Sequence, residues 1–153
     1  MALNTNHINK ILWSNPYTKR YFIGTYPACG IENLPKKKIY AFVTNTDHHS
    51  KSGTHWNSWF VRGDTVYFFD SFSRSPMHES FPHDYKDIVL KFKKFTYFNA
   101  RVQSFDSFTC GFYVIHHILI FSMGLGFKDF SADYSRDTNE NDMNVMKIIK
   151  SII

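Results

Sequence analysis

The stretch that most constrains this chain is QSFDSFTCGFYVIHHILIFSM, residues 103–123, in which a single cysteine, Cys110, opens a long apolar segment. Ser107 and Thr109 are residue types that cap helix starts. The 12 residues after Gly111 are apolar apart from His116, His117 and Ser122, and Gly124 is a stop signal. The pattern predicts a helix of about three to four turns, apolar on nearly every side and therefore buried, around which the other elements must pack. Cys110 falls in its first turn, where unpaired backbone N–H groups and the helix dipole favour an anion. In such a place, or beside an imidazolium, a thiol whose ordinary pKa is about 8.5 can drop to about 3.5–7.5 and become a nucleophile at neutral pH. Taken alone, Cys110 reads by default as a buried core thiol, so the rest of the chain has to decide.

A chain of 153 residues is most simply one domain, 1–153, large enough to bury about two thirds of its unfolded surface. Two cysteines, Cys29 and Cys110, are too few for a disulfide framework, and a reducing intracellular setting is the default. The opening MALNTNHINKILW has no continuous apolar region, and no segment reaches the roughly 18 apolar residues of a membrane span, so neither secretion nor a membrane is expected. The net charge is +5, with lysines clustered at Lys36–Lys38 and at Lys86, Lys91, Lys93 and Lys94. Such clusters are usually solvated faces; their functional alternative is nucleic acid or an acidic partner.

In chain order, residues 4–13 read as a short helix with Ile8, Ile11 and Leu12 on one face, ended by Asn15-Pro16. Tyr21 to Tyr26 is extended and aromatic, and Pro27, Gly30 and Pro35 mark a loop holding Cys29, a poor nucleophile candidate with no helix start behind it. Lys38 to Thr46 reads as a strand, followed by a polar loop from Asp47 to Gly53 whose His48 and His49 lack the neighbours of a metal site. His55–Val61 and Thr65–Asp70 flank Arg62-Gly63-Asp64 and read as a hairpin. A turn centred on Arg62 and Gly63 sets His55 directly opposite Asp70, within imidazole-to-carboxylate reach. A helix is expected from Asp84 to about Phe95, with Phe95 facing inward, then a strand-like Thr96 to Gln103, an irregular Phe127 to Asp142, and a last amphipathic helix from Asn141 or Asp142. His78, His83, His116 and His117 read as structural or exposed. Helices mixed with runs of strands, without βαβ alternation, indicate a single α+β domain: a mixed or antiparallel central sheet packed by helices, with Cys110 at the N-terminus of a buried central helix.

A histidine opposite a carboxylate, a glutamine at a strand end and a cysteine at a helix start are the parts of a thiol protease. His55 would hold the thiol proton, Asp70 would fix the imidazole, Cys110 would attack a carbonyl carbon, and Gln103 with the Cys110 N–H would donate to the oxyanion. In this order, with Gly-Thr-His-Trp at 53–56, Tyr-Phe-Phe-Asp-Ser-Phe at 67–72, Gln103, and Cys110-Gly111 seven residues later, the chain resembles the adenain family of adenovirus maturation proteases, which shares a clan with SUMO and ubiquitin-like proteases. The resemblance covers roughly residues 17–123, including Tyr21–Tyr26 and Val43–Thr46.

It implies a cysteine endopeptidase that processes viral capsid and core precursors at sites with small residues, in the virion and the host cell interior, nucleus or cytoplasm. It also implies that Gly53 and Trp56 line the substrate cleft, although strand alternation turns Trp56 away from His55 and into a core. The chain requires no metal and no other cofactor by sequence; the resemblance implies DNA or a peptide as activator, DNA through the basic residues. Three departures stand out. The acid is Asp70 rather than the Glu of adenovirus enzymes, residues 84–102 contain no cysteine to tether a disulfide-linked activator, and the C-terminal part is shorter. Other readings are a deubiquitinase-like or deSUMOylase-like protease on the same scaffold and a non-catalytic module binding DNA or a capsid partner.

Overall fold

The computed structural model describes residues 2–29, 31, 33–46 and 55–153. Its frame is a sheet whose strands lie side by side in chain order: β1 (Phe22–Tyr26), β2 (Ile39–Asn45), β3 (Trp56–Arg62), β4 (Thr65–Phe69) and β5 (Lys94–Tyr97). β2, β3 and β4 run antiparallel to one another, while β1 on β2 and β5 on β4 are parallel, so the sheet is mixed. The helices are α1 (Thr5–Ser14), α2 (His83–Val89), α3 (Cys110–Ser122), α4 (Phe127–Ser131) and α5 (Thr138–Ile152), giving the expected α+β architecture.

Side-chain alternation on the strands builds a core on each face. Phe60 and Phe69 join Ile8, Leu12, Val114, Ile118 and Phe121 on the face covered by α1 and α3. Trp59, Val61 and Phe68 join Tyr85, Ile88 and Val89 on the face covered by α2. Every residue of α3 except Ile120 is buried, as an all-round apolar helix requires.

The structure corrects the expectations for the hairpin turn, for the helix from Asp84, for Phe95 and Thr96–Gln103, and for Phe127–Asp142. The hairpin pairs Arg62 with Thr65, so its two-residue turn is Gly63-Asp64. Gly63 has φ +62°, the first central position where a type II′ turn places glycine. The register is shifted by two, which keeps every side chain on its face. The helix from Asp84 ends at Val89, because Lys91 and Phe92 N–H groups bond three residues back to Ile88 and Val89 and Lys94 then bonds the Asp64 carbonyl to begin β5. Phe95 lies on that edge strand, 41% exposed, and beyond Tyr97 only an isolated bridge, Arg101 to Phe72, remains before Gln103. Residues 127–131, expected irregular, form α4, and α5 begins at Thr138 because the Asp137 side chain caps it by accepting the Glu140 N–H at 3.1 Å. The loop expected over Asp47–Gly53, with His48, His49 and Gly53, lies outside the described residues.

Candidate active site

The site forms at the end of the sheet away from the β3–β4 turn. Asp70 follows the last residue of β4, and the chain then turns sharply: Ser73 N–H bonds the Asp70 carbonyl at 3.0 Å with Ser73 at φ +67°, a conformation a non-glycine residue holds only where its surroundings enforce it. The turn wraps the Asp70 carboxylate. Its Oδ2 accepts the Phe72 and Arg74 backbone N–H groups, both at 3.2 Å, and Arg74 Nε at 3.0 Å. Its Oδ1 accepts His55 Nε2 at 2.6 Å, Asn57 Nδ2 at 2.8 Å and an Arg74 guanidinium nitrogen at 3.1 Å. Burial alone would raise the Asp70 pKa, but the hydrogen bonds and charges of His55 and Arg74 outweigh it and hold the group well below the ordinary carboxylate range.

His55 sits immediately before β3. Continuing the observed register, the residue opposite Asp70 is Asn57 and the residue opposite His55 is Phe72, on whose ring the imidazole stacks at 5.3 Å. His55 therefore reaches Asp70 diagonally, which a long side chain can do across a hairpin. With Nε2 committed to Asp70, the ring also hydrogen-bonds Cys110. Burial pushes His55 down, yet the Asp70 and Cys110 hydrogen bonds and the charges of both groups more than reverse this, raising it to about 9. Cys110 is the first residue of α3, behind Thr109. The Thr109 hydroxyl does not cap the helix. It donates to Asp142 of α5 at 2.9 Å, and the same carboxylate accepts Ser104 Oγ at 2.6 Å and Tyr113 Oη at 2.7 Å. The C-terminal helix thus ties down the 104–110 segment that presents the thiol.

His55, Cys110 and Gln103 line one open cleft of about 560 Å³, together with Phe72, Arg74, Phe105 and Ser107. Gln103 is at the cleft, but its amide is engaged: Oε1 accepts Ser71 Oγ at 2.5 Å, and Nε2 donates to Ser107 O at 3.0 Å and Ser107 Oγ at 3.1 Å. In this conformation both of its N–H groups are spent on Ser107. Trp56 is not on the cleft wall; it is 5% exposed in the core, its indole N–H donating to the Leu3 carbonyl at 3.0 Å. Arg74 and Asn57 escape the sequence reading. The signals that point to them are an arginine four residues after the acid and a lone asparagine inside an apolar strand, where a buried amide must find partners.

No protein-family model and no curated protein matches the chain. Among solved structures it is similar to the ASFV pS273R protease, with a TM-score of 0.51 and 21% identity over 71% of this chain and 43% of that one. It is also similar to SUMO protease Ulp1, in a structure whose catalytic cysteine is oxidised to a sulfenic acid, with a TM-score of 0.38 and 18% identity over 72% of this chain and 53% of that one; that score is too low to bear on the fold. The first likeness is one of fold, and the chain spans less than half the length of that protease.

Proposed function

We propose that this protein is a cysteine endopeptidase with Cys110 as nucleophile, His55 as its acid–base partner and Asp70 as the group that orients the imidazole. The observation that carries the reading is the His55 ring, bonded on one side to Asp70 and on the other to Cys110 at the mouth of a cleft. The likeness in fold to a viral protease supports it. The Cys110 thiolate adds to the peptide carbonyl carbon, and the imidazolium gives its proton to the departing amine as the C–N bond breaks. The thioester left behind is then hydrolysed by water whose proton returns to His55, regenerating the thiol pair. Gln103 would donate to the oxyanion once its amide swings from Ser107, together with the backbone N–H of Cys110 at the start of α3.

The substrate class in this reading is viral structural precursor polypeptide cut next to small residues, acted on in the virion or the interior of the infected cell. The test is peptide-mapped mass after brief, low-dose iodoacetamide at pH 6. Rapid single labelling at Cys110 that slows at least ten-fold in His55→Ala is expected, with Cys29→Ser unchanged and Cys110→Ala inactive on a precursor peptide. Labelling indifferent to His55, or inactivation by Cys29→Ser in a folded protein, overturns the assignment.

A polyanion such as DNA as activator is supported by one feature of the fold. Lys36–Lys38 and Lys91 with Lys93, far apart in sequence, line one groove of about 890 Å³ near Gly63, at the opposite end of the sheet from His55. Adding a short DNA duplex is expected to raise the cleavage rate at low salt, with the effect lost above about 0.3 M salt and in the Lys36→Glu/Lys37→Glu variant. A rate insensitive to DNA excludes this part of the reading without touching the protease assignment.

A further inference from the structure

One hydrogen-bond chain leads from the core on the α2 face to the carboxylate at the site. Asn57 Nδ2 donates to Asp70 Oδ1 at 2.8 Å and to the Phe69 carbonyl at 3.3 Å, so both amide hydrogens have acceptors and the amide oxygen must face the other way. There it accepts the Tyr85 hydroxyl at 2.8 Å. A flipped amide would set its oxygen against a carboxylate and a carbonyl. Because Tyr85 spends its one hydrogen on Asn57, its contact with Thr44 Oγ1 at 2.7 Å must be donated by Thr44. Thr44 in turn accepts the Trp59 indole N–H at 3.0 Å. Every bond therefore runs the same way, from Trp59 through Thr44, Tyr85 and Asn57 to Asp70, and all five residues are fully buried. Bonds aligned in this way polarise one another, and in a dry interior none can swing to water.

We propose that Tyr85 is a positioning residue for the site: through Asn57 it fixes the Asp70 oxygen that holds His55, so that a residue of α2, absent from the cleft, sets the orientation of the imidazole facing Cys110. The placement follows from the hairpin register. Asn57 occupies the position opposite Asp70, and Tyr85 fills the space beneath it against Trp59, ring to ring at 5.1 Å. Without the Tyr85 hydroxyl the Asn57 amide keeps its volume and loses the bond that fixes its plane. The inference rests on the proposed roles of His55 and Cys110.

The test is Tyr85→Phe, which removes one oxygen and keeps the ring. Per folded molecule, kcat is expected to fall about ten-fold with KM within two-fold, and His55 to titrate at lower pH than in the wild type when followed by NMR of its ring protons. That titration is also read in Cys110→Ala, where no turnover is needed. Among the described residues, Asp70, Arg74 and Cys110 are the charged groups acting on His55 and the acid, and none is changed in the Tyr85→Phe comparison. Thr44→Val, one link further along, is expected to shift kcat and the titration in the same direction by a smaller factor, and it decides the matter if Tyr85→Phe does not fold. Unchanged kcat and an unmoved titration in a folded variant would reduce Tyr85 to core packing. A titration that rises would mean that Asn57 competes with His55 for the carboxylate, which also overturns the proposal. If wild-type Cys110 reacts without regard to His55, the protease reading fails instead, while the titration still reports on the chain of bonds.

Discussion

Asp70 accepts six hydrogen bonds on two oxygens, which fills the roughly four lone-pair sites of a carboxylate and shares two of them. Such a group can neither rotate nor take up a proton readily, and this keeps the His55 imidazole in one plane. Replacing it with Asn conserves the shape but turns one oxygen into a donor aimed at other donors, and it removes the charge that raises His55. For Asp70→Asn we expect kcat/KM to fall about 100-fold with residual activity remaining, whereas Cys110→Ala abolishes turnover. The alkaline limb of the pH profile should move from about 9 toward the ordinary histidine value of about 6.5. A limb that stays near 9 would mean that Asp70 does not govern the imidazole. Asp70 can be singled out in the sequence because pairing across a hairpin with a glycine turn brings a carboxylate that closes one strand close to a histidine that opens the other. Its direct partner is legible only to within two residues, since the turn can be centred on Arg62-Gly63 or Gly63-Asp64 with the same face buried. Arg74 and Tyr85 reach the site through a tight turn and across two elements, and no local spacing encodes such contacts. Gln103 lines the cleft, yet the hydroxyl and carbonyl of Ser107 that occupy its amide are a matter of loop conformation that residue types do not reveal.

At the scale of elements, α3 is gripped at both ends. At its start, a Cβ on Gly111 would meet Leu3 Cβ at 3.0 Å and Trp56 at 3.4 Å, so the N-terminal segment packs closely against the turn that carries Cys110. At its end, an Arg62 guanidinium nitrogen donates to the Phe121 carbonyl at 2.8 Å and the Leu125 carbonyl at 2.6 Å, over the rings of Phe121 and Phe60. Last-turn carbonyls have no partner within a helix, and a cation there also suits the dipole. Arg62→Met should cost about 1.5–3 kcal/mol of stability, the worth of hydrogen bonds from a charged donor, read from urea unfolding with an unchanged slope. Because this clamp lies at the far end of the helix from Cys110, kcat/KM per folded molecule should stay within two-fold; a larger loss would mean that the clamp sets the thiol's position. α3 is legible in the sequence because a long apolar run between capping residues and Gly124 admits little else. The end of α2 is not, because Lys91 to Phe95 suits a helix face and an edge strand alike and only pairing with β4 decides between them.

Over the whole molecule, the buried histidines oppose one another in their response to pH. His116 and His117 lie inside the packing of α3 and α4, between Phe69, Phe121, Phe127 and Phe130. Burial lowers His116 to about 4, outweighing the half-exposed Asp133 carboxylate 3.4 Å away, and it takes His117 well below the ordinary value. Between about 6.5 and 4 the unfolded chain therefore binds protons that the folded one refuses, and stability falls as pH drops. His55 has the opposite sign. Its raised pKa means that the folded state holds a proton the unfolded state has lost, so this contribution is complete below about 6.5 and disappears as pH rises through about 9. Asp70, with its lowered pKa, loses its contribution only as pH falls below the ordinary carboxylate range, outside this window. Stability should then peak near pH 6.5 and decline on both sides, with His55 on the alkaline side and His116 on the acid side each accounting for on the order of 3 kcal/mol at about 1.4 kcal/mol per pKa unit. Urea midpoints from pH 4 to 9 at constant slope would show it. His116→Gln should flatten the acid side and leave the alkaline side intact, and His55→Ala should do the reverse. An alkaline decline that survives His55→Ala would place the titrating group elsewhere and remove the charged His55 from the folded ground state.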